Sequence, residues 1–258
     1  ADDCVVFKKI SSTEDHVSLQ AALDAIDLWC QEWGMELNGE KTVLLRVTRK
    51  KHPSIFTYKI GKTVISVVDK YKYLGITLTN NLSWSIHITD ICASAFKKLC
   101  FLKRKLKNAP VRTKLLAYNT CIRSRLEYAS VLWDPYTKKD IEKLERIQRK
   151  AVRFIFGKYR RLDSPSLLMQ EHKIPTLAIR RKINRLLLLH KFLSSKVPFK
   201  LPDCIQKATT RRTRHTTQYT LAPIFAKTNS YQNSFFPKAV NEWNKLPPII
   251  FESNNFLS

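Results

Sequence analysis

The chain predicts an α+β fold, in which short antiparallel strands with one packed helix precede a mostly helical remainder. Three observations carry that reading. β-Branched and aromatic runs recur between residues 42 and 78, next to a single helical pattern. After Asn80-Asn81 the apolar residues switch to helical spacing and keep it. Charge is partitioned as well: residues 1–40 hold nine acidic and two basic side chains, and residues 41–258 hold 12 acidic and 44 basic ones.

Each element has a local cause. Ser11-Ser12-Thr13-Glu14-Asp15 reads as a capped helix start with acids complementing the dipole. Leu19, Ala22, Leu23, Ile26, Trp29, Cys30 and Trp33 give that helix one apolar face, and Gly34 stops it. Strands are expected at 42–47, 55–60, 63–68 and 73–78, with Ile60-Gly61-Lys62-Thr63 as a hairpin turn. A helix follows at 84–107, striped by Ile88, Ile91, Cys92, Ala95, Phe96, Leu99 and Leu106. Pro110 opens a second, running to Trp133 and broken by Asp134-Pro135. A third spans 138–156 with Ile141, Leu144, Ile147, Ala151, Phe154 and Ile155 inward. Helices at 165–170, 175–194 and 236–246 complete the pattern, and the segment from Ser195, with its knot Arg211-Arg212-Thr213-Arg214, reads as irregular.

Composition narrows the function. With 44% hydrophobic residues in 258, the chain has ample core material and no signature of disorder. A net charge of +25 implies a polyanionic partner, nucleic acid first and an anionic membrane surface second. No apolar run reaches the roughly 18 residues of a membrane span, and there is no signal peptide. The six cysteines and six histidines show no zinc-ligand spacing, which predicts buried reduced thiols.

Three basic clusters fall on successive helices. The first is Lys97, Lys98, Lys103, Arg104, Lys105 and Lys107; the second is Arg112, Lys114, Arg123 and Arg125. The third is Arg146, Arg149, Lys150, Arg153, Lys158, Arg160 and Arg161, with Arg180-Arg181-Lys182 and Arg185 as an extension. Each is readable as a solvated helix face. Displayed on one side of a bundle, together they would track a phosphate backbone. Trp84 and Trp133 read as core, and Tyr159 as core or a stacking platform. At the other end stand Asp2 and Asp3, whose adjacent carboxylates reach one cation only where a turn reorients them. On those residues alone, solvated terminal charges are the simpler account.

The ordered set of motifs resembles the reverse transcriptase of non-LTR (LINE-type) retrotransposons. Ala1-Asp2-Asp3 matches the end of that family's aromatic-Ala-Asp-Asp box, and Trp33-Gly34-Met35-Glu36-Leu37-Asn38 with Lys41-Thr42 is similar to the segment after it. Tyr73-Leu74-Gly75-Ile76, followed by Leu82-Ser83-Trp84 and His87-Ile88, looks like the primer-grip hairpin and its exit. Tyr128-Ala129-Ser130-Val131-Leu132-Trp133, Leu144-Glu145-Arg146-Ile147-Gln148-Arg149-Lys150-Ala151-Val152-Arg153 and Phe235-Phe236-Pro237-Lys238-Ala239-Val240-Asn241-Glu242-Trp243-Asn244-Lys245-Leu246-Pro247 resemble later segments of the family.

The resemblance implies a partial polymerase palm at 1–80, a basic thumb-like region at 81–160 and an extension at 161–258. It implies RNA-directed DNA synthesis with two Mg²⁺ ions, Asp2 and Asp3 as metal ligands, and Lys41 protonating pyrophosphate or simply capping a turn. Tyr73, Leu74 and Gly75 would place the primer terminus, with Gly75 alternatively marking a strand bulge. Lys97, Lys98, Arg104, Lys105, Arg146, Arg149, Lys150 and Arg153 would hold the duplex of RNA template and DNA primer, with dNTP as substrate, no membrane and an intracellular location. The family's further metal-binding Asp and its fingers have no counterpart in the chain, so the segment is expected not to polymerise alone. The competing reading is a non-catalytic nucleic-acid-binding remnant; an unrelated basic helical protein fits the motifs worst.

Overall fold

The computed structural model describes residues 3–48, 50–194, 201–208 and 219–252. The chain forms two compact units, Ala1–His87 and Ile88–Ser258. Asp2 and the Arg211-Arg212-Thr213-Arg214 knot lie outside the described residues.

The first unit is built around α1 (Thr13–Glu32). The Asp15 carboxylate takes the backbone N–H groups of Ser11 and Ser12 at 2.8 and 2.9 Å, closing the helix start. Trp33 caps the other end and Gly34, at φ +63°, turns the chain away. Two contacts fix α1 to residues 54–59. His16 is buried with Nδ1 2.6 Å from Tyr58 Oη and Nε2 2.8 Å from Ser54 Oγ, and its ring stacks on Phe56. Gln20 exchanges two hydrogen bonds with the Lys59 backbone.

The strands are shorter than the sequence predicts and pair differently. They are β1 (Val43–Leu45), β2 (Lys59–Ile60), β3 (Thr63–Val64), β4 (Ser66–Val68), β5 (Lys70–Tyr73) and β6 (Ile76–Thr79). β2 and β3 form the expected hairpin, with Gly61 at φ +54° in the first turn position, as a type II′ turn requires. The run 63–68 divides at buried Ile65, whose N–H bonds Tyr58 O, so that β3 and β4 serve different partners. β4 pairs with β1 in parallel, which corrects the expectation of antiparallel pairing throughout. The expected strand 73–78 is broken as well. Leu74 and Gly75 both have positive φ (+45° and +83°) and form the turn of the β5–β6 hairpin, with Tyr73 opposite Ile76. Gly75 therefore marks a reversal and not a bulge.

The hairpin feeds α2 (Ser85–Lys105) through a hydrogen-bonded corner. Thr79 Oγ1 accepts the Ser83 N–H at 3.0 Å, and the buried His87 Nδ1 accepts the Thr77 N–H at 3.2 Å. In the second unit, α3 (Val111–Tyr118) runs into a π turn (Asn119–Arg123) and α4 (Ser124–Glu127). The predicted helix to Trp133 is interrupted here. Ala129 takes a left-handed conformation (φ +49°), and a separate turn, α5 (Ser130–Trp133), follows. Trp133 is fully buried, as read from the sequence, and its indole N–H donates to Tyr128 O at 2.8 Å.

α6 (Lys138–Phe156) keeps its predicted bounds because both ends are coded locally. Thr137 and Asp140 hydrogen-bond each other at the start, and Gly157, left-handed at φ +66°, ends it. Leu144, Ile147, Ala151, Phe154 and Ile155 are buried. So are Glu145 and Gln148, which occupy the same stripe. α7 (Pro165–Glu171) and α8 (Leu177–Leu193) follow, and the first N–H groups of α8 are received by those two side chains. α9 (Asn229–Gln232), α10 (Phe235–Trp243) and α11 (Ile249–Glu252) close the chain. Their core, formed by Leu189, Ile205, Leu221, Ala239, Val240, Trp243 and Phe251, joins α8 to α10 and α11.

Candidate nucleic-acid interface

The basic clusters of the second unit are brought together by specific contacts. Lys143 Nζ donates to Thr89 Oγ1 at 3.0 Å, Lys150 Nζ lies 4.3 Å from the Phe96 ring centroid, and Lys103 Nζ lies 5.7 Å from that of Tyr159. On α2 these positions recur at heptad spacing, and their partners ascend in the same order along α6 and just past its end. The two helices therefore run side by side in the same direction. Lys114 adds α3 to the same surface, its Nζ 5.5 Å from the Phe154 ring centroid on α6. Arg125 of α4 donates to Ser94 Oγ of α2 at 2.8 Å.

This seam decides which predicted residues can meet a ligand. Lys97, Arg104 and Lys105 of α2 and Arg146 and Lys150 of α6 are exposed; Lys98, Arg149 and Arg153 are half-buried. Rings hold two of these ammonium groups without consuming their N–H donors: Phe96 under Lys150 and Phe101 under Lys98, the latter at 5.7 Å. Arg149 is paired with Glu142. Arg153 acts inward, donating to Tyr159 O and Asp163 O at 3.4 and 3.2 Å.

The extension through α8 is corrected by the structure. Arg181 and Arg185 are only 2% and 3% exposed, so neither belongs to a basic surface. Arg181 Nε donates to Asp134 Oδ1 at 2.7 Å; Arg185 reaches Asp134 Oδ2 at 2.6 Å and Glu242 at 2.7 Å; Lys238 reaches Asp134 at 2.5 Å. Burial pushes the Asp134 carboxyl up, but Lys238, Arg185 and Arg181 outweigh it and hold it below the usual carboxylate range. Arg180 is tied to Glu127, whose hydrogen bond raises the guanidinium further. The network was missed because a basic run suggests solvent. Its signal was the spacing: Leu177, Arg181, Arg185 and Leu189 form one buried stripe, every fourth residue.

In the first unit Asp3 is exposed. Lys41 is exposed too, and its backbone N–H donates to Asn38 Oδ1 at 2.9 Å within a turn. Tyr73, Leu74 and Gly75 sit together at the tip of the β5–β6 hairpin. Among the described residues no group of three His, Cys, Asp or Glu side chains could hold a metal ion, and no helix is long and apolar enough to cross a membrane. The described donors therefore do not fit a two-metal centre by themselves.

No protein-family model and no solved structure matches the chain. Curated relatives do. The chain is 25% identical over 160 residues to the Drosophila melanogaster probable RNA-directed DNA polymerase from transposon BS, a match of 60% of this chain and 18% of the relative. It is 29% identical over 162 residues to the RNA-directed DNA polymerase from mobile element jockey of the same species, again 18% of the relative. A third, the probable RNA-directed DNA polymerase from transposon X-element, is 24% identical over 163 residues. The chain spans about 18% of the length of these curated relatives. Its homologues are thus RNA-directed DNA polymerases of Drosophila retrotransposons, the kinship that its ordered motifs indicate.

Proposed function

We propose that the chain is the part of a retrotransposon reverse transcriptase that holds the primer–template duplex, comprising the end of the palm and a thumb-like helical region. The observation that supports it most is the α2–α6 seam. The two helices it joins carry exposed cations, Lys97, Arg104 and Lys105 on α2 and Arg146 and Lys150 on α6. Such an array neutralises successive phosphates without reading bases, which suits a polymerase that must slide along any sequence. The β5–β6 hairpin tip, with Tyr73, Leu74 and Gly75, is proposed to place the primer terminus.

In the complete enzyme the reaction is nucleotidyl transfer from dNTP to a DNA primer on an RNA template, with Mg²⁺ supplying the charge stabilisation. Asp2 and Asp3 are the proposed ligands and Lys41 the proposed acid. Because the described donors do not fit that centre alone, the proposed activity of this segment itself is binding. An intracellular location follows from the partner.

The test is fluorescence anisotropy of the chain with an RNA–DNA duplex at several salt concentrations. Affinity should fall linearly on a log–log plot, with a slope of about −0.9 per neutralised phosphate, taking the duplex-DNA value. Arg146→Ala combined with Lys150→Ala should weaken binding uniformly across sequences and flatten the slope by about two. A flat salt response would remove the basis of the reading.

A further inference from the structure

We propose that the loop after α6, residues 158–162, is a binding site for single-stranded nucleic acid at the end of the duplex, with Tyr159 as the stacking platform. This rests on the duplex-binding reading above and adds a ligand class to it.

The loop is built to hold its shape. Gly157 reverses the chain at the end of α6. Arg153 then clamps the loop from within, donating to Tyr159 O and Asp163 O. Asp163 closes its far side, its carboxylate accepting the Arg160 N–H at 2.9 Å and its own N–H reaching Arg160 O at 3.1 Å. A loop held in this way loses little conformational freedom on binding.

What it presents is unusual for a tethered loop. Tyr159 is 55% exposed although Lys103 of α2 lies over its ring. Leu162 is 95% exposed. Among the described residues no carboxylate pairs with the side chains of Lys158, Arg160 or Arg161. The C-terminus of α6 attracts cations and accounts for some of that charge. It does not account for an aromatic ring and a leucine held out in water on either side of two arginines. A ring flanked by cations is the arrangement that accepts an unpaired base and the phosphates on either side of it. A base pair inside a duplex has no free face to offer Tyr159, so the ligand is a single strand. Lys103 belongs to both the loop and the α2–α6 seam, which puts that strand at the edge of the duplex surface.

The experiment compares two labelled RNA–DNA probes by anisotropy: a blunt duplex, and the same duplex with a single-stranded extension of about four nucleotides. The full chain should prefer the extended probe by about tenfold, the lower range of one stacked base. Tyr159→Ala should bring the ratio of the two affinities to about one, while Tyr159→Phe keeps it, because stacking needs the ring and not the hydroxyl. Leu162→Ser provides a second variant at a fully solvated position and should reduce the ratio. If both probes bind with salt-dependent affinity and the ratio is one, the loop proposal is overturned and the duplex reading stands. A ratio that survives both Tyr159→Ala and Leu162→Ser also overturns it. If neither probe binds, the duplex reading fails and the loop proposal falls with it.

Discussion

Replacing Asp134 by Ala should destabilise the second unit by about 3–5 kcal/mol, and the reason lies in which cation is stranded. Three basic groups converge on that carboxylate. Lys238 is 22% exposed at its side chain and can turn toward water. Arg185 keeps the Glu242 carboxylate. Arg181 has neither escape: it is 2% exposed, Asp134 is its acidic partner, and its Nη1 has no hydrogen-bond partner among the described residues even in the intact network. The cost is therefore that of a buried guanidinium left without its counter-ion. Urea unfolding of the full chain, followed by tryptophan fluorescence and circular dichroism, would read the change as a midpoint lowered by about 1 M or more, given typical slopes of 1–3 kcal/mol/M. Arg181→Met in the same background should recover most of the loss, because it removes the stranded charge and keeps the volume. A D134A midpoint within about 0.3 M of the parent, or a double variant whose effects simply add, would refute the reasoning.

Two further outcomes follow from backbone strain and titration. Leu74→Asn should stabilise the β5–β6 hairpin by about 1 kcal/mol, because a bulky residue at φ +45° bears a left-handed penalty that Asn largely escapes; hydrogen exchange of the Lys70–Tyr73 and Ile76–Thr79 amides would report it. Stability should also fall at both pH extremes. Asp134 is held below its ordinary value in the fold, so its contribution is present above about pH 4 and is lost as pH drops through the folded value. On the alkaline side burial raises the Cys92 thiol to about 11. The unfolded thiol loses its proton first, so stability declines from about pH 9 upward. Unfolding midpoints measured across pH would check both limbs.

What could be read in advance followed from how locally each feature is encoded. α6 was legible to its last residue because Thr137, Asp140 and Gly157 mark its ends and apolar residues recur at helical spacing between them. The π turn at Asn119–Arg123 and the left-handed Ala129 left no comparable mark, so one helix was expected where the chain forms several. Strands of two to four residues carry too little pattern to name their partners, and the parallel β1–β4 pair depends on tertiary placement. Charge was the least transparent signal. Arg146 and Arg181 look alike in a basic run, yet one is exposed on α6 and the other is buried on the inner face of α8. Only the fourfold spacing of Arg181 and Arg185 with Leu177 and Leu189 distinguishes them. Of the acidic pair, Asp3 alone lies within the described residues.

The carboxylate of Asp134 meets Lys238 across 104 residues of chain. On the ribosome that separation becomes a delay. At 5–20 residues per second, roughly 5–20 seconds pass between the synthesis of the aspartate and that of the lysine, with Glu242 emerging just behind it. From about the middle of that interval Arg181 and Arg185 have been made, while one of Arg185's two acids has not. The nascent second unit can collapse around α6 and α8, but its ionic centre stays incomplete until α10 arrives. α10 thus completes the ionic centre of the second unit late, and a ribosome that stalls before it would expose a half-neutralised interior to proteases and chaperones.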